Sequence, residues 1–430
     1  MITAWNPQLP SALAMVALVL ACGPQPTSPP PPPPPDVLTI RSGNGQSGLP
    51  GRVLSQPLVV QVANSIGGAA PGVPVAWVVT TGGGRVYPNS TTTDAQGQAS
   101  ATWTLGTATG IQSITATAQG VAGSPASFTA TARDAVVIQR YDGTRWQPEL
   151  SDSNGALPSL SSVWGSSASD VFAVGSSCGG GLIIRYDGNG WTNPSPGCGG
   201  FVGYSSYSSI WGTSATDVFA VGTNWLPPSS LNFVIHYDGQ QWSPTFRRAC
   251  SFCARLVAVW STSAADAYVV GDSGIILHYD GTSWQLQATG TTHPLDAIWG
   301  SSATDIFAVG AAGTILHFDG TVWQPQSSGT TVSLAAVRGA SATDVFVAGE
   351  SGTILHYDGV TWTSQSSGTT RSLYGIWVSS DGQAFAVGDN STILHFDAMN
   401  WTPQVSGAPM LLMGVWGSSP SNVLAVGQAR

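Results

Sequence analysis

The 430-residue chain contains no lysine, and Glu149 and Glu350 are its only glutamates. Thirteen arginines stand against 22 acidic residues, for a net charge of −9, and charged residues make up only 8% of the total. Nucleic-acid binding needs clustered cations to neutralise phosphates, so a nucleic-acid partner is excluded. The chain has no Gly-x-Ser-x-Gly elbow, no His-Glu-x-x-His pair and no phosphate-binding loop. Those absences leave hydrolase, zinc-peptidase and nucleotide chemistries without their usual residues. No cofactor and no metal is expected. From about residue 135 onward, apolar runs long enough for helices are also missing, because glycine, serine and aspartate break the chain into short pieces. Cysteines number five.

A repeat fills the second two-thirds of the chain. Residues 295–331 recur with drift from about residue 135 onward, and a tryptophan marks the recurrence at Trp164, Trp211, Trp260, Trp299, Trp377 and Trp416. Arg338 occupies the missing place in that series, and the intervals are 47, 49, 39, 39, 39 and 39 residues. A second marker, aromatic-Asp-Gly-x-x-Trp, begins its Asp at 142, 187, 238, 280, 319 and 358; Asp397 carries a seventh copy with Ala398 in place of glycine. Each unit holds four runs rich in Val, Ile, Phe, Trp or Tyr, at 295–300, 305–309, 314–319 and 322–326 in the cleanest copy. Such runs favour strands. The Asp-Gly between the third and fourth predicts a two-residue hairpin turn with positive φ at both positions.

Four-stranded meanders of about 40 residues, repeated seven times, predict a β-propeller with one sheet per blade. The repeat region starts on the third and fourth strands of a unit (136–142, 145–148) and stops on the first and second (412–418, 422–426). The two halves are expected to join as one composite blade that closes the ring and removes open sheet edges. The segments Gly313–Trp323 and Gly352–Trp362, of the pattern Gly-x-Ile-Leu-His-Tyr/Phe-Asp-Gly-x-x-Trp, resemble Asp-box (BNR-like) propellers, including sialidase-type repeats and photosystem assembly-factor propellers. Asp-box repeats usually have one more residue between Asp and Trp, and Ser or Thr where this chain has His or Arg. The resemblance therefore implies a fold and carries over no functional residue.

The front of the chain reads as a delivery and spacing device. Residues 12–21 are apolar but too short to span a bilayer, and Val19-Leu20-Ala21-Cys22 resembles a lipobox. This predicts a signal peptide over 1–21 and lipidation of Cys22. Residues 22–36 form the attachment point and a tether whose seven prolines, 29–35, favour an extended helix of ~3.1 Å per residue. Residues 37–134 alternate apolar and polar in short runs separated by turn clusters, a pattern that predicts a sandwich. Pro71–Val79, Thr92–Ala99 and Trp103–Gly106 resemble bacterial Ig-like domains of the invasin and intimin type, which implies a spacer. The whole is therefore expected to be all-β: an Ig-like sandwich (37–134), then a seven-bladed propeller (135–430).

Candidate site residues follow from what breaks the repeat. Connections two-three and four-one should share one face of the ring, and they vary in length. Among them fall Trp225, Tyr204, Tyr207, Phe246, the arginine cluster Arg247, Arg248 and Arg255, and all four remaining cysteines. Length variation with added aromatics on one face is how a repeat scaffold carries binding. Arg338 is a further candidate, for an anion at the channel. The cysteines fit an oxidising compartment. Three pairings are possible, and sequence proximity favours Cys178 with Cys198 and Cys250 with Cys253. The spacing Cys250-x-x-Cys253 also matches redox and zinc sites. By contrast His236, His278, His317, His356 and His395 share one repeat position and read as scaffold. The aspartates opening each second strand read as turn caps.

These features predict a monomeric, lipid-anchored, non-enzymatic binding or adhesion protein at the outer membrane or cell surface, or else a secreted one. Its partner would be a glycan or an envelope protein. A glycosidase-like enzyme using paired carboxylates and an envelope assembly factor are the alternatives.

Overall fold

The computed structural model describes residues 35–132, 135–152, 159–177, 180–192, 204–226, 229–250 and 254–429. The predicted signal peptide, Cys22, the proline run up to residue 34, and Cys178, Cys198 and Cys253 lie outside the described residues. Among the described residues, helical structure is confined to four three-residue turns. Among the described residues, no helix is long and apolar enough to cross a membrane.

Residues 35–132 form two packed sheets, one of four strands and one of five. Alternation builds the core: in Leu58–Asn64, Gln98–Thr104 and Ala126–Ala132 every second residue is buried. Trp77, Trp103, Phe128, Leu58 and Ile114 fill the space between the sheets.

From residue 135 the described chain forms seven four-stranded antiparallel sheets. Blade one combines Ala135–Tyr141 and Trp146–Asp152 with Met410–Ser419 and Asn422–Ala429. Its two halves join through the ladder Ile138↔Val426 to Tyr141↔Val423. Blades two to seven follow at 159–192, 204–250, 256–286, 295–326, 334–365 and 373–403. The innermost strand of each blade contacts that of the next around the full circle, blade seven meeting blade one and blade one meeting blade two.

The hairpin turns differ from the sequence expectation. In each copy four residues separate the paired aromatics, as in Tyr141↔Trp146 and Phe318↔Trp323. Only the second turn residue takes positive φ, for example Gly143 at 92° and Gly320 at 88°. The aspartate works through its side chain: Oδ1 of Asp319 accepts from the N–H groups of Thr321 (2.9 Å) and Val322 (3.0 Å). This is an Asx-type turn, and it holds the carboxylates below their usual range. Asp280 is brought to about 2, chiefly by the Thr282 hydroxyl and then by the Ser283 and Thr282 N–H groups.

A second difference concerns blade three. Where they are described, the stretches read as long loops continue its strands: Tyr204–Ser214, Asp217–Leu226, Ser229–Tyr237 and Trp242–Cys250. Trp225 pairs with Tyr204 and Ser230 in the ladder, and Cys250 pairs with Ser230. The added lengths pair with one another across the blade, so each carries its neighbour's hydrogen bonds.

Candidate functional site

Two repeated arrangements hold the ring. The first is on strands two and three. Nε2 of His236, His278, His317 and His356 lies 2.6–2.7 Å from Oδ1 of Asp217, Asp266, Asp305 and Asp344. Each imidazole also packs on an aromatic ring at 4.2–4.4 Å. In two blades arginine replaces histidine: Arg185 binds Asp170 at 2.6 Å, and Arg140 binds Asn422 and Glu149. His395 faces Gln383 at 3.0 Å, and burial lowers its pKa. The other carboxylate oxygen accepts a hydroxyl four residues earlier, from Ser166, Thr213, Thr262 or Ser301. Burial opposes ionisation of Asp217 and Asp305, but these hydrogen bonds hold both below the usual range. Histidine, aspartate and hydroxyl thus meet with the carboxylate in the middle. In these arrays the histidine bonds the carboxylate and not the hydroxyl.

The second arrangement joins neighbouring inner strands. The indoles of Trp416, Trp164, Trp260, Trp299 and Trp377 wedge over Gly165, Gly212, Gly300, Gly339 and Gly417 of the next blade. A Cβ at any of these glycines would stand 2.6–2.9 Å from the ring, a clash only glycine avoids. Two seams depart from this. The blade after Trp211 offers Ser261, and the blade after Arg338 offers Val378. With Ser261 in the way, Trp211 donates Nε1–H to the Ser261 carbonyl (3.0 Å) and leaves its ring half-buried, whereas the other five are 3–8% exposed. The two exceptions meet across the axis, with the Arg338 guanidinium carbon 4.2 Å from the Trp211 ring centroid.

Their stack closes one end of an axial cavity of about 610 Å³ to which all seven inner strands contribute. In each inner strand the residue three before the tryptophan position is half-buried and lines the cavity: Ser161, Ser208, Val257, Asp296, Ala335, Tyr374 and Met413. The next position holds only serine, alanine or glycine, as crowding at the axis requires. The cavity is therefore a funnel. Its floor is Arg338 on Trp211, and its mouth lies on the rim of the two-three and four-one connections, where Arg255 and Glu350 stand. Arg255 pairs with Asp272 at 3.2 Å. Burial raises the pKa of Asp296, and Asp272 and Glu350 add to the shift while Arg255 opposes it. Burial also raises Tyr374, whose hydroxyl donates to Asp389 at 3.1 Å. Burial alone lowers Arg338, to about 10.

The candidates named from sequence fare unequally. Arg255 and Arg338 do reach the funnel. Tyr207 belongs to the core: it is buried, meets Phe233 edge-on at 5.4 Å, and burial raises its hydroxyl to about 12. Phe246 packs edge-on against Trp284 of the next blade. Arg247 and Arg248 are exposed and adjacent in a strand, so they point to opposite sheet faces. For Trp225, Tyr204 and Cys250 only the backbone is described. Sequence reasoning missed Asp296, Glu350 and Tyr374. Asp296 had a signal, being the single carboxylate in its register across seven blades.

The sandwich meets the ring at blade one. Thr109, Gly110 and Ala132 face Pro148, Gly407, Ala408 and Pro409 across a crevice of about 430 Å³, and among the described residues none of blade three lines it.

No family model and no curated protein matches the chain. Among solved structures it is similar to the WD40 β-propeller domain of Doa1, at 11% identity and a TM-score of 0.51 over 68% of this chain and 94% of that one. The ring is a multi-bladed β-propeller. YCF48 bound to D1 peptide (14% identity, TM-score 0.49, 64% of this chain and 94% of that one) and YCF48 from Cyanidioschyzon merolae (14%, 0.47, 64% and 97%) are also similar. At such identities the likeness establishes the propeller fold alone.

Proposed function

We propose that the chain is a non-enzymatic binding module of the cell envelope, with the propeller as recognition head. Residues 37–134 would be a bacterial Ig-like spacer, and lipidated Cys22 with its proline tether would anchor it at the outer membrane or cell surface. The observation that carries this reading is the concentration of irregularity on one rim. The funnel opens there, the strands of blade three are prolonged there, and the acids Asp272, Asp296, Glu350 and Asp389 stand there. Four of the histidines are engaged away from that rim, in the repeated His–Asp pairs. The partner would be a glycan or an envelope protein contacting that rim.

The test uses the full chain on glycan arrays and in crosslinking to isolated envelopes. Substitution of Arg248 and Glu350 should weaken capture, and substitution of Thr282 and Thr321 in the opposite turns should not. Capture indifferent to the funnel rim, or hydrolysis of labelled oligosaccharides, would overturn this reading. Cys22→Ala should abolish labelling by palmitate and release the protein from membranes.

A further inference from the structure

Among the described residues the Arg338 guanidinium has no counter-ion: it makes no hydrogen bond or ion pair with them and lies over the Trp211 ring. Its five N–H donors face a cavity shut off on the Trp211 side, where a positive charge without a counter-ion is costly. Ser162 and Ser209 line the same cavity. Ser162 and Ser209 each accept one backbone N–H from the next blade, from Ile210 and Val259 (3.3 Å each), and keep their own protons to donate. The floor is therefore built to receive an anion. The mouth has the opposite character: Asp296 and Glu350 line it, Asp272 and Asp389 flank it, and Arg255 is already paired. Three residues of strand separate the register of Asp296 from that of Arg338, a depth of about 10 Å.

We propose that the funnel binds a small dipolar molecule, carboxylate inward on Arg338 and ammonium or guanidinium outward between Asp296 and Glu350. The charges in such a ligand would lie roughly 6–10 Å apart, the spacing of an ω-amino acid, set by the strand rise. A simple anion must pass an acidic mouth, and a simple cation meets an unpaired arginine, so each alone is disfavoured. The aliphatic middle would lie against Ala297, Ala336 and Val337. The inference deepens the rim-binding reading above.

Calorimetric titration of the full chain with 6-aminohexanoate, hexanoate and hexylamine tests it. The dipolar probe should bind at least tenfold more tightly than either single-charge analogue. Arg338→Met, which keeps the stem over Trp211, should weaken it at least tenfold, and Asp296→Asn should weaken it several-fold. Thermal melts of each variant establish that the ring is intact. No binding of 6-aminohexanoate to the folded protein overturns the proposal. Equal affinity for hexanoate, or full binding by Arg338→Met, overturns it as well. Partner capture that persists while these titrations fail would leave the recognition-head reading standing and remove only this one.

Discussion

Five of the seven seams between inner strands are built alike, and two are not. At the five, an indole lies on a glycine so closely that neither can change alone. At the other two, Ser261 and Val378 fill the place of glycine. One leaves its tryptophan leaning into the lumen, and the other does without tryptophan altogether. The contrast teaches where a repeat protein can place a charge. An ordinary seam has no room for one, whereas a seam that has lost its glycine expels the wedge toward the axis. Both exceptions end up in one stack, so the irregularities of blades three and six form a single feature of the channel.

The contrast can be broken most forcefully at the wedges. Trp299→Ala should cost roughly 3–5 kcal/mol in urea unfolding, since it empties a buried seam. Trp211→Ala should cost only about 1–2 kcal/mol, because its half-buried ring has less surface to lose. Equal losses would mean the two kinds of seam are equivalent. A double-mutant cycle sharpens the point. Arg338→Trp alone should destabilise by about 1–3 kcal/mol through crowding against Val378. Combined with Val378→Gly it should recover, with a coupling of about 1–3 kcal/mol. Strict additivity would mean that glycine is not what admits the indole.

The smallest effect lies in the acid limb and compares turns with funnel. Asp280 sits at about 2 in the folded chain against 3.8 in its ordinary state. Its stabilising contribution is therefore complete above pH 3.8 and is lost as pH falls through about 2. The other turn aspartates, including Asp187, Asp238, Asp358 and Asp397, shift in the same direction. Asp296 shifts the opposite way, so its ionisation disfavours the folded state and acidification relieves that. Melting temperatures should fall from about pH 4 downward, and Asp296→Asn should raise the neutral plateau slightly without moving the acid fall.

Much of the architecture was legible because the repeat writes it seven times. Spacing alone placed the wedge tryptophans, the turn aspartates and the scaffold histidines, and it marked Arg338 as an outlier. The turn type was not legible, because Asp-Gly serves a backbone-strained turn and a side-chain-bonded one equally well. The strands of blade three read as loops because length beyond the period says nothing about pairing. Tyr207 and Phe246 looked available for a ligand because sequence does not reveal which side of a prolonged strand faces the next blade. Arg247 and Arg248 are adjacent in sequence yet take opposite faces of their strand, which the sequence alone did not display. The funnel was hidden for a related reason: its lining comes from seven segments about 40 residues apart, and only closure around the axis brings Asp296, Tyr374 and Arg338 together.

The ladder that joins Ala135–Tyr141 to Asn422–Ala429 also orders events in time. Arg140 reaches a partner 282 positions downstream, so blades two to seven can stack while the first sheet still waits for half its strands. Until the last segment arrives, two raw edges persist, and association across so long a separation is slow. A holding chaperone would find its target in that interval, on the incomplete sheet, before the circle is shut.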